Sequence, residues 1–313
     1  MVFIFRSFFL LATGFLGVAA SAHEKDTTWS FSIGDDVTVT VDMPKMVKKY
    51  KTLLIIYALP NGNTTAQTMG KRVQPGDDWH YDIQHIRAQT KFIRQSLGRQ
   101  NIVVAYLENK YKSWPQFKKI HSDYTSRIPF IIDTLMSVVP SNKKSLYLNG
   151  HSGGGSFIFG YLQSLNAIPS FVKRISFLDS DYGYDSSHLP KLKNWLSHND
   201  ATLSVFAYND SIALLDGKPF VSATGGTWYR SKLMMKDLSA FFSFEKVQDD
   251  SLIVYKNSKS NIQFFFKTNP DRKIFHTVQV ERNGFIHSIL CGTKQDSKSY
   301  QYYGERAYGT MIE

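Results

Sequence analysis

The stretch LYLNGHSGGGSF, residues 146–157, places Ser152 between glycines two positions away on either side. An apolar run precedes this serine, and the helical pattern GGGSFIFGYLQSL follows it. A strand that turns sharply into a helix holds a serine oxygen clear of the backbone. Gly150 and Gly154 suit such a turn because side chains there would collide with the turn or a neighbouring strand. The alternative is a phosphate-binding glycine loop, but the lysine that follows the last glycine of such a loop is absent.

The rest of the chain alternates buried strands with helices. The apolar runs TLLIIYALP, NIVVAYLE, RISFLDS, TLSVFAY and NIQFFFK are typical of strands buried on both faces. Amphipathic helical stretches separate them, which predicts an α/β fold: a mostly parallel sheet with helices on both faces. The segment WSFSIGDDVTVTVDM predicts an antiparallel hairpin near the N-terminus. No linker or repeat interrupts residues 23–313, so we expect one domain there.

On the elbow motif and the order of its strands, the sequence resembles the α/β-hydrolase superfamily. The resemblance implies that Ser152 is a catalytic nucleophile and that an acid and then a histidine follow it in the chain. His287, after the turn-forming pair Asn283-Gly284, is the expected base. Its rival, His276, alternates within the strand-like run KIFHTVQV, which is more typical of a structural histidine.

The resemblance leaves two positions open for the acid. Most members of the superfamily place it after the second strand beyond the elbow strand, which here gives Asp210. A minority place it one strand earlier, which gives Asp179, with Asp181 close by. Either carboxylate would orient the histidine and stabilise its cationic form.

The resemblance also implies an oxyanion hole, formed by two backbone N–H groups that face the developing negative charge. One is expected from Gly153, the residue after the nucleophile. The other is expected from the loop LPNGN, residues 59–63, where Gly62 or Asn63 is the candidate donor.

A basic and aromatic segment is the candidate substrate-binding loop. NKYKSWPQFKK, residues 109–119, interleaves lysines with aromatic residues after a strand end. Lys112, Trp114 and Phe117 are therefore predicted to contact substrate, with the lysine attracting carboxylates and the rings stacking on sugars. An ordinary basic loop with core aromatics is the alternative.

The N-terminus and the charge bear on location and partners. Residues 1–22 combine Arg6, an apolar run and a small-residue site at their end, so they predict a signal peptide and a secreted or periplasmic protein. The chain of 313 residues has a formal net charge of +11. Its positive charge favours anionic partners through long-range attraction. We expect neither nucleic-acid binding nor stable membrane insertion.

The sequence thus predicts an exported serine hydrolase that forms an acyl-enzyme on Ser152. The expected substrate is a carboxylic ester, carbohydrate-linked, with an anionic polysaccharide as a candidate partner. No cofactor and no metal ion are expected. A peptidase or amidase of the same fold, or a non-catalytic glycan-binding protein on a hydrolase scaffold, are the alternatives.

Overall fold

A computed structural model describes residues 26–198, 200–249 and 251–313. The predicted signal peptide, residues 1–22, lies outside the described residues. The strands in these ranges are β1 (Thr27–Ile33), β2 (Val37–Met43), β3 (Lys51–Ala58), β4 (Gln100–Asn109), β5 (Lys144–His151), β6 (Val172–Leu178), β7 (Thr202–Tyr208), β8 (Leu214–Leu215), β9 (Lys218–Pro219), β10 (Phe244–Gln248), β11 (Leu252–Asn257) and β12 (Ile262–Lys267).

The helices connect these strands. They are α1 (Thr65–Met69), α2 (Ile86–Ser96), α3 (Trp114–Ile120), α4 (Tyr124–Val138), α5 (Gly155–Ser164), α6 (Leu189–Leu196), α7 (Thr227–Ser239), α8 (Val278–Glu281) and α9 (Gly284–Leu290). Short 3₁₀ turns occur at Trp79–Asp82, Ser152–Gly154, Ser186–His188, Asp210–Ile212 and Gly309–Met311. Within the described ranges, none of the helices has the length and apolar character needed to cross a bilayer.

Ten strands form one sheet in the order β1-β2-β4-β3-β5-β6-β7-β12-β11-β10. The six strands from β4 to β12 in this order are mutually parallel. Parallel neighbours need long crossovers, and helices supply them here. The predicted hairpin, β1 with β2, forms one antiparallel edge of the sheet. The predicted fold class is therefore confirmed.

The other edge of the sheet differs from the sequence prediction. β11 pairs antiparallel with β12, and β10 pairs antiparallel with β11. These two strands are largely exposed or half-buried, so they lack the continuous apolar run that marks the central strands.

Helices cover both faces of the sheet. Leu53–Ala58 of β3 is fully buried, and its even-numbered residues join one apolar cluster while its odd-numbered residues join the other. The first cluster includes residues of α3 to α7, and the second includes residues of α2, α8 and α9. Successive strand residues point to opposite faces, so a strand between two helical layers must be apolar throughout.

Because the central strands are parallel, their carboxyl ends lie along one edge of the sheet. Ser152 follows β5, Asp179 follows β6 and Asp210 lies two residues beyond β7. Ligand sites of open α/β sheets lie at this edge. The fold thus brings together three polar residues that are far apart in the sequence.

Candidate active site

Ser152 sits on a strained turn between β5 and α5. Its φ angle of 54° lies in the left-handed region, which a residue with a side chain adopts only where the surroundings enforce it. A Cβ on Gly150 would lie 2.9 Å from the carbonyl carbon of Gly154, and a Cβ on Gly154 would lie 2.1 Å from the carbonyl oxygen of Ala58. Neither glycine can therefore carry a side chain, for the reason that the sequence suggested.

The histidine that reaches this edge of the sheet is His276. Its Nδ1 lies 2.5 Å from Oδ2 of Asp179, a carboxylate that is completely buried. His276 belongs to the loop between β12 and α8, and its side chain is one-quarter exposed. Because Asp179 accepts a hydrogen from Nδ1, Nε2 of His276 is left as a base.

His151 fixes the histidine loop next to the elbow. The rings of His151 and His276 lie 4.5 Å apart, and Nε2 of His151 donates to the carbonyl oxygen of His276 at 3.1 Å. Burial, and then the charge of His276, lower the pKa of His151 well below its usual value. His151 is therefore a neutral donor that ties the residue before Ser152 to the candidate base.

No hydrogen bond joins Ser152 to His276 in the described part of the chain. The link between them runs through His151, which precedes the serine and bonds to the backbone of His276. Catalytic hydrogen bonds are commonly loose in the absence of substrate and tighten when it binds.

Both candidate acids accept hydrogen bonds from Thr227. Its hydroxyl donates a short hydrogen bond to Asp179, and its backbone N–H donates to Oδ2 of Asp210 at 2.8 Å. Burial, and then the charge of Asp179, raise the pKa of Asp210 to about 6. Asp179 contacts both His276 and Thr227, whereas Asp210 contacts the start of α7. Thr227 was missed by sequence analysis because its backbone lies 48 residues beyond Asp179.

Within the part of the chain that the structure describes, Asp181 forms a hydrogen bond with α7 and none with His276. Its Oδ2 accepts a hydrogen bond of 2.9 Å from Ser231 of α7, and the residue is fully buried. Burial is the main cause that raises the pKa of Asp181 well above its usual value. Burial thus favours the neutral form of this carboxyl, which packs against α7.

The assignment of His287 as the base requires correction. His287 lies on α9, a helix whose residues are all buried, and its Nδ1 lies 2.9 Å from the hydroxyl of Tyr300. Its ring stacks on Tyr302 with centroids 5.0 Å apart, and burial lowers its pKa to about 4. α9 packs against the sheet through this face, so the imidazole becomes a neutral core group and does not reach the carboxyl edge of β5.

The candidate oxyanion donors also need one correction. The N–H of Gly62 already donates to the carbonyl oxygen of Lys112 at 2.8 Å, so it cannot serve an oxyanion. Gly153 remains in place beside the elbow, and the side chain of Asn61 lies against it: a Cβ on Gly153 would lie 1.9 Å from Oδ1 of Asn61. Asn63 is buried, and among the described residues its Nδ2 has no hydrogen-bond partner. The loop thus keeps Asn63 as a candidate and adds Asn61.

The candidate substrate loop is only partly at the surface. Trp114 and Phe117 are each 1% exposed, and their rings pack together with centroids 5.2 Å apart in the core. Ser113 caps α3, and residues three apart on a helix share a face, so both rings turn inward. The prediction that these two rings contact substrate is wrong; of the three residues predicted to make contact, only Lys112 is exposed. Instead, the half-exposed ring of Tyr182 lies 6.5 Å from the ring of His276.

Within the described ranges, no group of three or more His, Cys, Asp or Glu side chains is placed to hold a metal ion. The order of the strands, the serine turn after β5, and the order of Ser152, Asp179 and His276 along the chain together define the α/β-hydrolase fold.

Comparison with known proteins gives similarity at the level of structure. No family model matches the sequence, and no curated protein does. Among solved structures, a thermostable esterase is 12% identical with a TM-score of 0.49; the match covers 83% of this chain and 60% of that one. An acetyl xylan esterase from Aspergillus awamori is 10% identical with a TM-score of 0.43 (78% and 93% covered). The siderophore hydrolase EstB from Aspergillus nidulans is 10% identical with a TM-score of 0.42 (87% and 96% covered).

Proposed function

We propose that this protein is a serine hydrolase that cleaves a carboxylic ester through an acyl-enzyme on Ser152. The observation that carries the proposal is the arrangement of a serine, a histidine and a buried carboxylate at the carboxyl edge of the sheet. The serine lies on a strained elbow, the preceding residue His151 bonds to the backbone of His276, and Nδ1 of His276 is held by the buried carboxylate of Asp179. A nucleophile, a base and an orienting acid in this relation are the parts that acyl transfer requires.

In the proposed reaction, the oxygen of Ser152 attacks the ester carbonyl while Nε2 of His276 takes the hydroxyl proton. Asp179 holds the Nδ1–H tautomer and stabilises the imidazolium that forms. The imidazolium then protonates the departing alkoxide, which leaves as an alcohol. A water molecule, deprotonated by His276, next attacks the acyl-enzyme, and the proton returns to Ser152 as the acid departs.

Negative charge on the carbonyl oxygen would be stabilised by N–H groups of the backbone and of an asparagine side chain. Gly153 is one candidate donor, and the loop that carries Asn61 and Asn63 is the source of the second. Buried, fixed donors stabilise such charge more than water does because they need no reorganisation during the reaction.

We propose a carbohydrate-linked ester as the substrate class. The support is the net charge of +11 and the exposed Lys112, whose carbonyl oxygen binds the oxyanion loop. Tyr182 takes the place of Trp114 and Phe117 as the aromatic contact, since its ring is exposed next to His276. Aromatic rings offer a broad apolar face to a sugar or an aryl group. Export of the enzyme is also proposed, on the sequence of residues 1–22 alone.

The experiment is labelling with a fluorophosphonate probe, which reacts only with an activated serine, together with hydrolysis of a short nitrophenyl ester. Wild type should be labelled, and Ser152→Ala should lose the label and about a million-fold in turnover. Ser156→Ala is the matched control, because Ser156 lies on α5 one turn beyond the elbow. Labelling of the Ser152→Ala variant, or failure to label wild type, would contradict the proposal.

A further inference from the structure

A basic groove crosses the sheet edge opposite Ser152. Three neighbouring hollows lie where the parallel strands begin, with volumes of about 490, 460 and 440 Å³. Tyr50 lines both the first and the second, while Arg99 and Tyr147 line both the second and the third. Because they share lining residues, the three hollows adjoin one another, and together they form this basic groove.

The lining of this groove is strongly cationic. Six exposed basic residues line it: Lys48, Lys49, Lys51, Arg99, Lys143 and Lys294. None of the residues that line these three hollows is acidic. In the described part of the chain, none of the six forms an ion pair with a carboxylate, whereas Lys71 and Lys173 elsewhere each pair with an aspartate.

Unpaired like charges at close range cost free energy. Lys48, Lys49 and Lys51 lie within four residues of one another, and Arg99 and Lys143 stand at the starts of the neighbouring strands. Each added cation repels the others, and salt only partly screens this at distances below about 10 Å. A multivalent anion in the groove would turn that repulsion into attraction.

We propose that this groove binds an acidic polysaccharide, a chain that carries carboxylate or sulfate groups, and so tethers the enzyme to it. The eight residues of β5 separate the groove from Ser152 by about 26 Å at roughly 3.3 Å per residue. A polymer held there leaves the carboxyl edge of the sheet open. The groove therefore acts as a second binding site, and its existence does not depend on the chemistry at Ser152.

Two features favour a polysaccharide over other polyanions. A row of adjoining hollows fits an extended chain better than it fits a flat bilayer, because a bilayer contacts residues that protrude from the surface. Single-stranded nucleic acids bind through open aromatic faces on which bases stack. Here the ring of Tyr50 has the ammonium of Lys49 at 5.8 Å, and the ring of Tyr147 has the guanidinium of Arg174 at 5.5 Å, so both rings already have cationic neighbours.

The test measures binding of labelled heparin fragments and labelled polygalacturonate by fluorescence anisotropy, from 0.05 to 0.5 M NaCl. The groove variant changes Lys48, Lys49, Lys51 and Lys143 to glutamine. The control variant changes Lys119, Lys236, Lys246 and Lys256 to glutamine; it removes the same charge from lysines that do not line the groove. Heparin and polygalacturonate distinguish sulfate from carboxylate recognition.

At 0.1 M salt we expect the groove variant to bind about 80-fold more weakly than wild type, from about threefold per exposed ion pair. The control should lose less than about threefold in all. Wild-type affinity should fall steeply with salt, and the groove variant should show a smaller slope. Equal losses in both variants, or no binding by wild type at 0.05 M salt, would overturn the proposal.

Three further measurements complete the test. Phosphatidylglycerol vesicles and a single-stranded oligonucleotide, at the same salt, must bind more weakly than the polysaccharides; tighter binding of either overturns the assignment. Footprinting of wild type with an acetylating reagent needs no variant, and heparin should protect Lys51 and Lys143 but not Lys119. Ser152→Ala should bind polysaccharide like wild type, so loss of its esterase activity and loss of groove binding are separate outcomes.

Discussion

The two carboxylates that flank Thr227 should differ sharply when each is changed to asparagine. Asp179 contacts the candidate base directly, at 2.5 Å from Nδ1 of His276, and it also accepts from Thr227. Asparagine keeps the volume of Asp179 but removes the negative charge that stabilises the imidazolium. Its amide nitrogen can only donate, so one of the two hydrogen bonds must reverse.

We expect Asp179→Asn to lower kcat/KM on a nitrophenyl ester about 10⁴-fold, or about 5.4 kcal/mol of transition-state stabilisation. Asp210 touches Thr227 and not the histidine, and an amide oxygen can still accept from the Thr227 N–H. Asp210→Asn should therefore lose less than about tenfold, or about 1.4 kcal/mol. The assay is steady-state hydrolysis at pH 8, with thermal melting to check folding. Losses of equal size, or a larger loss at Asp210, would refute the role assigned to Asp179.

Three other results are expected. His276→Ala should lose about a million-fold in turnover, while a folded His287→Ala should keep activity within about tenfold because its ring is a core group; the reverse order would restore His287 as the base. Trp114→Ala should lower the free energy of unfolding by about 3–5 kcal/mol in urea titrations, with an unchanged KM, since its side chain fills the core. For Asp210, the raised pKa of about 6 means that the folded protein holds a proton that the unfolded chain releases between about pH 4 and 6. The free energy of unfolding of wild type should therefore fall as pH rises through that window. At pH 8 the Asp210→Asn variant should be about 1–3 kcal/mol more stable than wild type, and at pH 4 this advantage should be absent. A stability difference between the two proteins that does not change with pH would show another cause.

The sequence by itself determined the elbow and the central sheet. Both depend on local patterns: continuous apolar runs require strands covered on both faces, and the glycines at 150 and 154 permit a turn that no side chain allows. The burial of Trp114 and Phe117 could also have been predicted from the local sequence. They are three residues apart, follow the capping residue Ser113 and flank Pro115 in the first turn, which is the pattern of the inner face at the start of a helix.

Only the tertiary structure decided which histidine and which acid meet. His276 and Asp179 are 97 residues apart, and no periodicity describes the loop that brings them together. His287 follows a turn just as the sequence indicated, with Asn283 at a φ of 64°, but the face that α9 presents to the sheet buries it. A local pattern fixes which residues of an element are apolar, whereas contacts between loops at a sheet edge depend on how whole elements pack and where the chain crosses between them.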